Sequence, residues 1–115
     1  MLALQILNAI VAGISVAFAA TALARPTVLS RSVTSGPGEV LFARMYAVRA
    51  IPLGLAVAIV PFFTDGLGVA MLVLVAGVVQ LADSVVLVAY GERGRAVGPV
   101  LAGGVHIALA ILLLL

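Results

Sequence analysis

Arg49, Asp83 and His106 are residues that handle protons or anions, and each lies inside a long apolar run. A charged side chain at the centre of a bilayer costs at least ~2.5 to 3.5 kcal/mol, so such residues need a partner, water or a chemical role. A carboxylate near an imidazole can pass a proton close to neutral pH, and a guanidinium that never loses its proton can stabilise negative charge as it develops on a substrate. That set suits isomerisation, cyclisation or epoxide opening. Other chemistries lack their residues. The chain has no cysteine, hence no thiolate nucleophile, disulfide framework or cysteine-ligated metal. It also has no Gly-x-Ser-x-Gly elbow and no phosphate loop, so hydrolase and kinase reactions have no support.

The elements that must position these residues follow from composition. Of 115 residues, 65% are hydrophobic and 9% charged, and the mean hydropathy is +1.40, too little polar surface to coat a soluble domain. A spanning helix takes about 20 residues, so the length accommodates four spans with short connections and no further domain. All six basic residues are arginines, and they are scattered, which leaves no footprint for nucleic acid.

The expected fold is an all-α, integral membrane four-helix bundle, a single domain over 1–115 with spans at about 2–24, 40–62, 67–90 and 97–115. The first span carries Gln5, Asn8, Ser15 and Thr21 and stops at Arg25-Pro26. Ala22-Leu23-Ala24 resembles a signal-peptide cleavage site, but no positive segment precedes the run and the run is too long, so a span is expected. Residues 27–38, with Ser30, Ser32, Thr34, Ser35 and Gly36-Pro37-Gly38, read as a loop. Thr64-Asp65-Gly66 reads as a tight turn and 91–95 as the third loop.

Arginine placement orients the bundle. Arg25 and Arg31 fall in the first loop, Arg93 and Arg95 in the third, and the second holds only Asp65. By the positive-inside rule loops 25–38 and 91–96 are cytoplasmic and both termini face the outer side, with a bacterial cytoplasmic membrane as the expected location.

Counted from expected cytoplasmic ends near Val40, Tyr90 and Val97, Arg49, Asp83 and His106 lie roughly 10 to 14 Å deep and form one layer. Gln80 and Ser84 flank Asp83 on its helix, and Ser15 reaches a similar depth. Tyr46, one turn before Arg49, is a candidate hydroxyl donor or a packing residue. Arg44 lies nearer the surface, where it can snorkel or pair with Glu39. The competing structural reading makes Arg49-Asp83 an ion pair that only sets helix register, with His106 as a hydrogen-bond partner. Small-residue stripes, Ala9, Gly13, Ala17 and Thr21 in the first span and Gly98, Ala102, His106 and Ala110 in the last, are expected to pack the monomer rather than form a dimer face.

The segments Phe42 to Leu55, with Ala43-Arg44, Arg49 and Leu53-Gly54, and Leu81 to Val88, with Ala82-Asp83-Ser84, together with His106, resemble a family of small four-helix membrane proteins known as a domain of unknown function, DUF 4267. Arg44, Arg49, Gly54, Asp83 and His106 occupy that family's pattern positions. The chain departs from it where Tyr46 to Val48 lacks a glycine and where Ala82 precedes Asp83. The resemblance covers spans two to four and implies architecture more than activity.

The leading functional expectation is a membrane-embedded enzyme acting on a small lipophilic substrate. Arg49, Asp83 and His106 would be its catalytic residues, and Arg44, Tyr46, Gln80 and Ser84 would bind substrate. No metal or cofactor is implied, although one histidine per chain permits a haem with His106 as axial ligand. The expected partners are the bilayer and that substrate, with a homo-oligomer allowed. The alternatives are a proton-coupled transporter subunit running on Asp83 and an accessory membrane protein. Small multidrug exporters resemble the chain only in size, because their essential carboxylate is a glutamate in the first helix, where this chain offers only Gln5 and Asn8.

Overall fold

The computed structural model describes residues 1–30 and 36–115. Five helices follow in order: α1 (Leu2–Ala24), α2 (Thr27–Ser30), α3 (Pro37–Phe63), α4 (Leu67–Ala89) and α5 (Arg93–Leu114). The four long ones are each long and apolar enough to cross a membrane, and all four turn large apolar side chains outward, among them Ile14, Ile59, Val85 and Leu101.

Helix boundaries follow local chemistry. α1 ends at Ala24, two residues before Pro26, as a chain that cannot continue its ladder must. α3 starts earlier than its apolar run: Gly36 is an extended N-cap and Pro37 occupies the first turn, where its missing N–H costs nothing and its fixed φ already suits a helix. α5 likewise starts at Arg93, so Arg93-Gly94-Arg95 forms its first turn and not a loop. The turns beside α4 rest on glycines with positive φ, Gly66 at 96° and Gly91 at 80°. Within the expected 27–38 loop, 27–30 form the short α2, which Arg95 Nη2 holds by donating to Val28 O at 3.2 Å. Arg31, Ser32, Thr34 and Ser35 lie outside the described residues.

The bundle is two close helix pairs, α1 with α3 and α4 with α5, set against each other more loosely. Their interiors are built from small residues. α1 buries Asn8, Ala12, Ala19 and Ala22, and α3 buries Ala43, Ala47, Val57 and Pro61, a spacing close to the heptad that keeps one seam facing a partner helix. At Gly54 a Cβ would stand 2.5 Å from Val16 Cγ2, so only glycine lets α3 lie this close to α1. Backbones meet again where a Cβ on Gly103 would be 3.0 Å from Gly77 O.

One stripe of small residues differs from expectation. In α5, Ala102, His106 and Ala110 are buried as the inward stripe requires, while Gly98 is exposed. In α1, however, Gly13, Ala17 and Thr21 are exposed, because Asn8 and Ala12 turn the neighbouring face inward. Leu4 and Leu113 pack on one cluster made by Val69, Val73, Leu109 and Ala110, which brings both termini to the end that also holds the 64–66 turn.

Candidate functional site

α3 carries two internal prolines, and the second sets up the polar centre of the bundle. Pro61 has no N–H, so the carbonyl of Val57, four residues earlier, loses its helical donor. Asn8 of α1 supplies one: its Nδ2 donates to Val57 O at 2.9 Å. The other end of the same amide meets α5, where Asn8 Oδ1 lies 2.6 Å from His106 Nδ1. One turn toward the terminus, Gln5 Nε2 donates to Pro61 O at 2.7 Å, a carbonyl left over at the end of α3. Asn8 and His106 are 0% and 2% exposed, so this network lies in the dry interior, where an unpaired polar atom is costly. Among the described residues no buried side-chain nitrogen or oxygen lacks a partner.

A second set of polar residues lies further along the bundle. Gln80 Nε2 donates to Ser15 Oγ at 3.0 Å, and Ser15 Oγ in turn donates to Val11 O at 3.1 Å in its own helix. Ser84 Oγ lies 3.1 Å from Gln80 O and 3.2 Å from Ala96 O, which staples α4 to the first turns of α5. Tyr46 stacks edge-on against Phe18, ring centroids 6.2 Å apart, and this holds its ring between α1 and α3.

These groups meet at a small cleft of about 70 Å³. Its polar lining comes from all four long helices: Ser15 from α1, Tyr46 from α3, Gln80 and Asp83 from α4, and His106 from α5. Apolar lining such as Ala12, Leu53, Gly54, Val57 and Val79 makes up most of the rest. Packing between α3 and α4 is the sparsest of any long pair in contact, and it gathers Leu53, Val57, Ala58 and Val60 against Val69, Leu72, Val73 and Ala76, toward the 64–66 turn. Asp83 lies beyond that contact and is exposed.

The geometry revises the expected Arg-Asp-His layer. His106 is level with Gly77, where a Cβ would stand 3.3 Å from His106 Cβ, and Asp83 is six residues further along α4, about 9 Å at the helical rise. The error came from the helix ends, since α5 begins four residues before Val97 and α3 three before Val40. The polar groups therefore form a file along the bundle, His106 innermost, then Gln80 with Ser15, then Asp83.

Arg49 is exposed, and its Nε donates to Met45 O at 3.1 Å within α3; among the described residues it makes no ion pair with Asp83. It stands at the rim, three residues after Tyr46 and four before Leu53, both of which line the cleft. Arg44 is exposed one turn nearer the start of α3, off the cleft, and forms no ion pair with Glu39 among the described residues. Of the expected binding residues, Tyr46 and Gln80 line the cleft, whereas Ser84 is buried beside it and spends its hydroxyl on helix carbonyls.

Asn8 is the residue that sequence reasoning set aside. Its signal was available: a proline four residues after Val57 leaves a carbonyl without a donor, and Gln5 and Asn8 are the amide side chains at that end of the first span. Among the described residues no group of three His, Asp or Glu side chains comes together in a metal-binding arrangement. Compared with protein-family models, curated proteins and solved structures, the chain finds no match.

Proposed function

We propose that the chain is a membrane-embedded enzyme that takes the polar head of a small lipophilic substrate into the cleft and acts on it by acid/base chemistry. The observation that carries this reading is the convergence of Ser15, Tyr46, Gln80, Asp83 and His106, from four helices, on one otherwise apolar cleft. The volume of about 70 Å³ suits a head group. The loose α3–α4 side lets the hydrocarbon tail stay in lipid.

In this reading Asp83, at the open end, moves the proton. Arg49 swings from the rim to stabilise the developing negative charge, and Tyr46 and Gln80 orient the head. Isomerisation, cyclisation and epoxide opening remain the reaction classes these groups serve. The end bearing Arg25, Arg93 and Arg95 faces the cytoplasm.

The test uses the full chain in lipid nanodiscs incubated with a total lipid extract, with products followed by untargeted mass spectrometry. The expected result is a lipid converted to an isomer, or to the same lipid plus one water, by the wild type and not by Asp83→Asn. No conversion by the wild type, or equal conversion by the variant, overturns the reading.

One observation favours a second reading. Asp83 is exposed within the apolar helix α4 and no cation pairs with it among the described residues, as a proton-coupled transporter subunit working as a homo-oligomer would require. Substrate flux driven by a pH gradient across proteoliposomes, lost in Asp83→Asn and unaccompanied by conversion, would select it. An accessory protein would show neither flux nor conversion.

A further inference from the structure

The network under the cleft determines which nitrogen of His106 carries the proton. Val57 O can only accept, so the Asn8 atom facing it must be the amide nitrogen, and at 2.9 Å it is. The Asn8 atom facing His106 is then the amide oxygen, which also only accepts. His106 Nδ1 must therefore donate, and in the neutral ring Nε2 is left as an acceptor. The ring is 2% exposed, yet it lines the cleft. Nε2 has no protein partner among the described residues, and it is not a sealed orphan, since none exists among the buried polar atoms described. An acceptor atom on a nearly buried ring thus opens onto the cleft floor.

We propose that His106 Nε2 is a fixed-tautomer acceptor that receives a hydrogen bond from the hydroxyl of a lipophilic alcohol, so that the cleft's ligand class is hydroxyl-bearing lipids. The proposal rests on the reading of the cleft as a ligand site and narrows it. The apolar lining fits the rest of such a ligand. The carbon chain then lies along Leu53, Val57 and Val79. His106 touches the ligand, whereas Asn8 positions it from behind by holding the tautomer, as the outer partner of a metal-bound histidine does.

The chain has one histidine, so selective ¹⁵N labelling of histidine gives two ring signals and no overlap. In the full chain in nanodiscs near neutral pH, Nδ1 is expected to be protonated and Nε2 to be of the bare, pyridine type. An Nε2-protonated ring overturns the proposal. Titration with n-decanol should shift the Nε2 signal, while n-decyl methyl ether, which has no hydroxyl to donate, should leave it in place. Shifts from neither probe, or from both alike, overturn the ligand assignment.

Asn8→Ala should release the tautomer and give a mixture. If that variant does not fold, Asn8→Asp, which as the neutral acid donates its O–H to Val57 O and accepts at its carbonyl oxygen, should keep Nδ1 as the donor. An Asn8→Ala protein that retains a pure Nδ1–H ring, or an Asn8→Asp protein that loses it, overturns the role given to Asn8. These readouts need no turnover. A decanol shift without any lipid conversion would remove the enzymatic reading and leave the acceptor site standing.

Discussion

The two ends of the polar file meet the same cost in opposite ways. Around Asn8 and His106 every hydrogen-bonding group except Nε2 is satisfied, and the partner that closes the network is a main-chain carbonyl that Pro61 released. Around Asp83 and Arg49 the charges stay exposed, and among the described residues they do not pair with each other. The closed end is therefore where stability resides, and the open end is where chemistry has room. An ion pair is one way to make charges tolerable in an apolar bundle, yet this one builds its interior from neutral amides and leaves its charges at an edge.

The comparison can be broken most strongly beneath the closed end. Gly103→Val places a Cβ against Gly77 O and forces α4 from α5 under His106, with an expected loss of about 3 kcal/mol in detergent unfolding, as overpacking of a tight contact gives. Asn8→Leu leaves His106 Nδ1 and Val57 O without partners, and the same unfolding measurement should show a loss of about 2 kcal/mol. Ser84→Ala removes a staple whose carbonyl partners sit within helical ladders, so about 0.5 kcal/mol is expected, near the mean for hydrogen bonds between membrane helices. At the open end, Asp83→Asn should change stability by less than about 0.5 kcal/mol while abolishing lipid conversion. A large stability loss in that variant would mean that Asp83 is a structural residue, and the contrast between the two ends would fail.

Pro61→Ala sharpens the comparison with almost no change in stability. The new N–H gives Val57 O a helical donor, so Asn8 is no longer needed there. The expected signature is a partial loss of the pure Nδ1–H ring in the histidine ¹⁵N spectrum. A spectrum identical to the wild type would show that the proline does not control the network.

Much of the architecture was legible residue by residue. Pro26 marks the end of α1 and Gly66 the turn into α4, and each acts within a few residues of itself. The starts of α3 and α5 were misplaced because hydropathy marks where a helix meets lipid, while the backbone ladder begins at whatever residue can open it, here Pro37 and Arg93. The four-residue shift at the start of α5 was enough to misplace His106 by about a turn. The identity of the cleft residues was partly readable: Tyr46, Gln80, Asp83 and His106 stood out as polar groups in apolar runs, and three helices do bring them to one cleft. Asn8 did not stand out, because an amide in a first span carries no charge to draw attention.

By itself the sequence determined the number of long helices, their apolar character and the set of polar groups that must be accommodated, because hydropathy and helix stops are properties of single residues and their neighbours. Only the tertiary structure decided which polar group meets which. A helix face is chosen by rotation, and the rotation of α1 that buries Asn8 and Ala12 and exposes Gly13 and Ala17 comes from close approach to α3 at Gly54 and from a carbonyl on another helix in need of a donor. Contacts of that kind join residues 49 and 98 positions apart, and no local pattern encodes them.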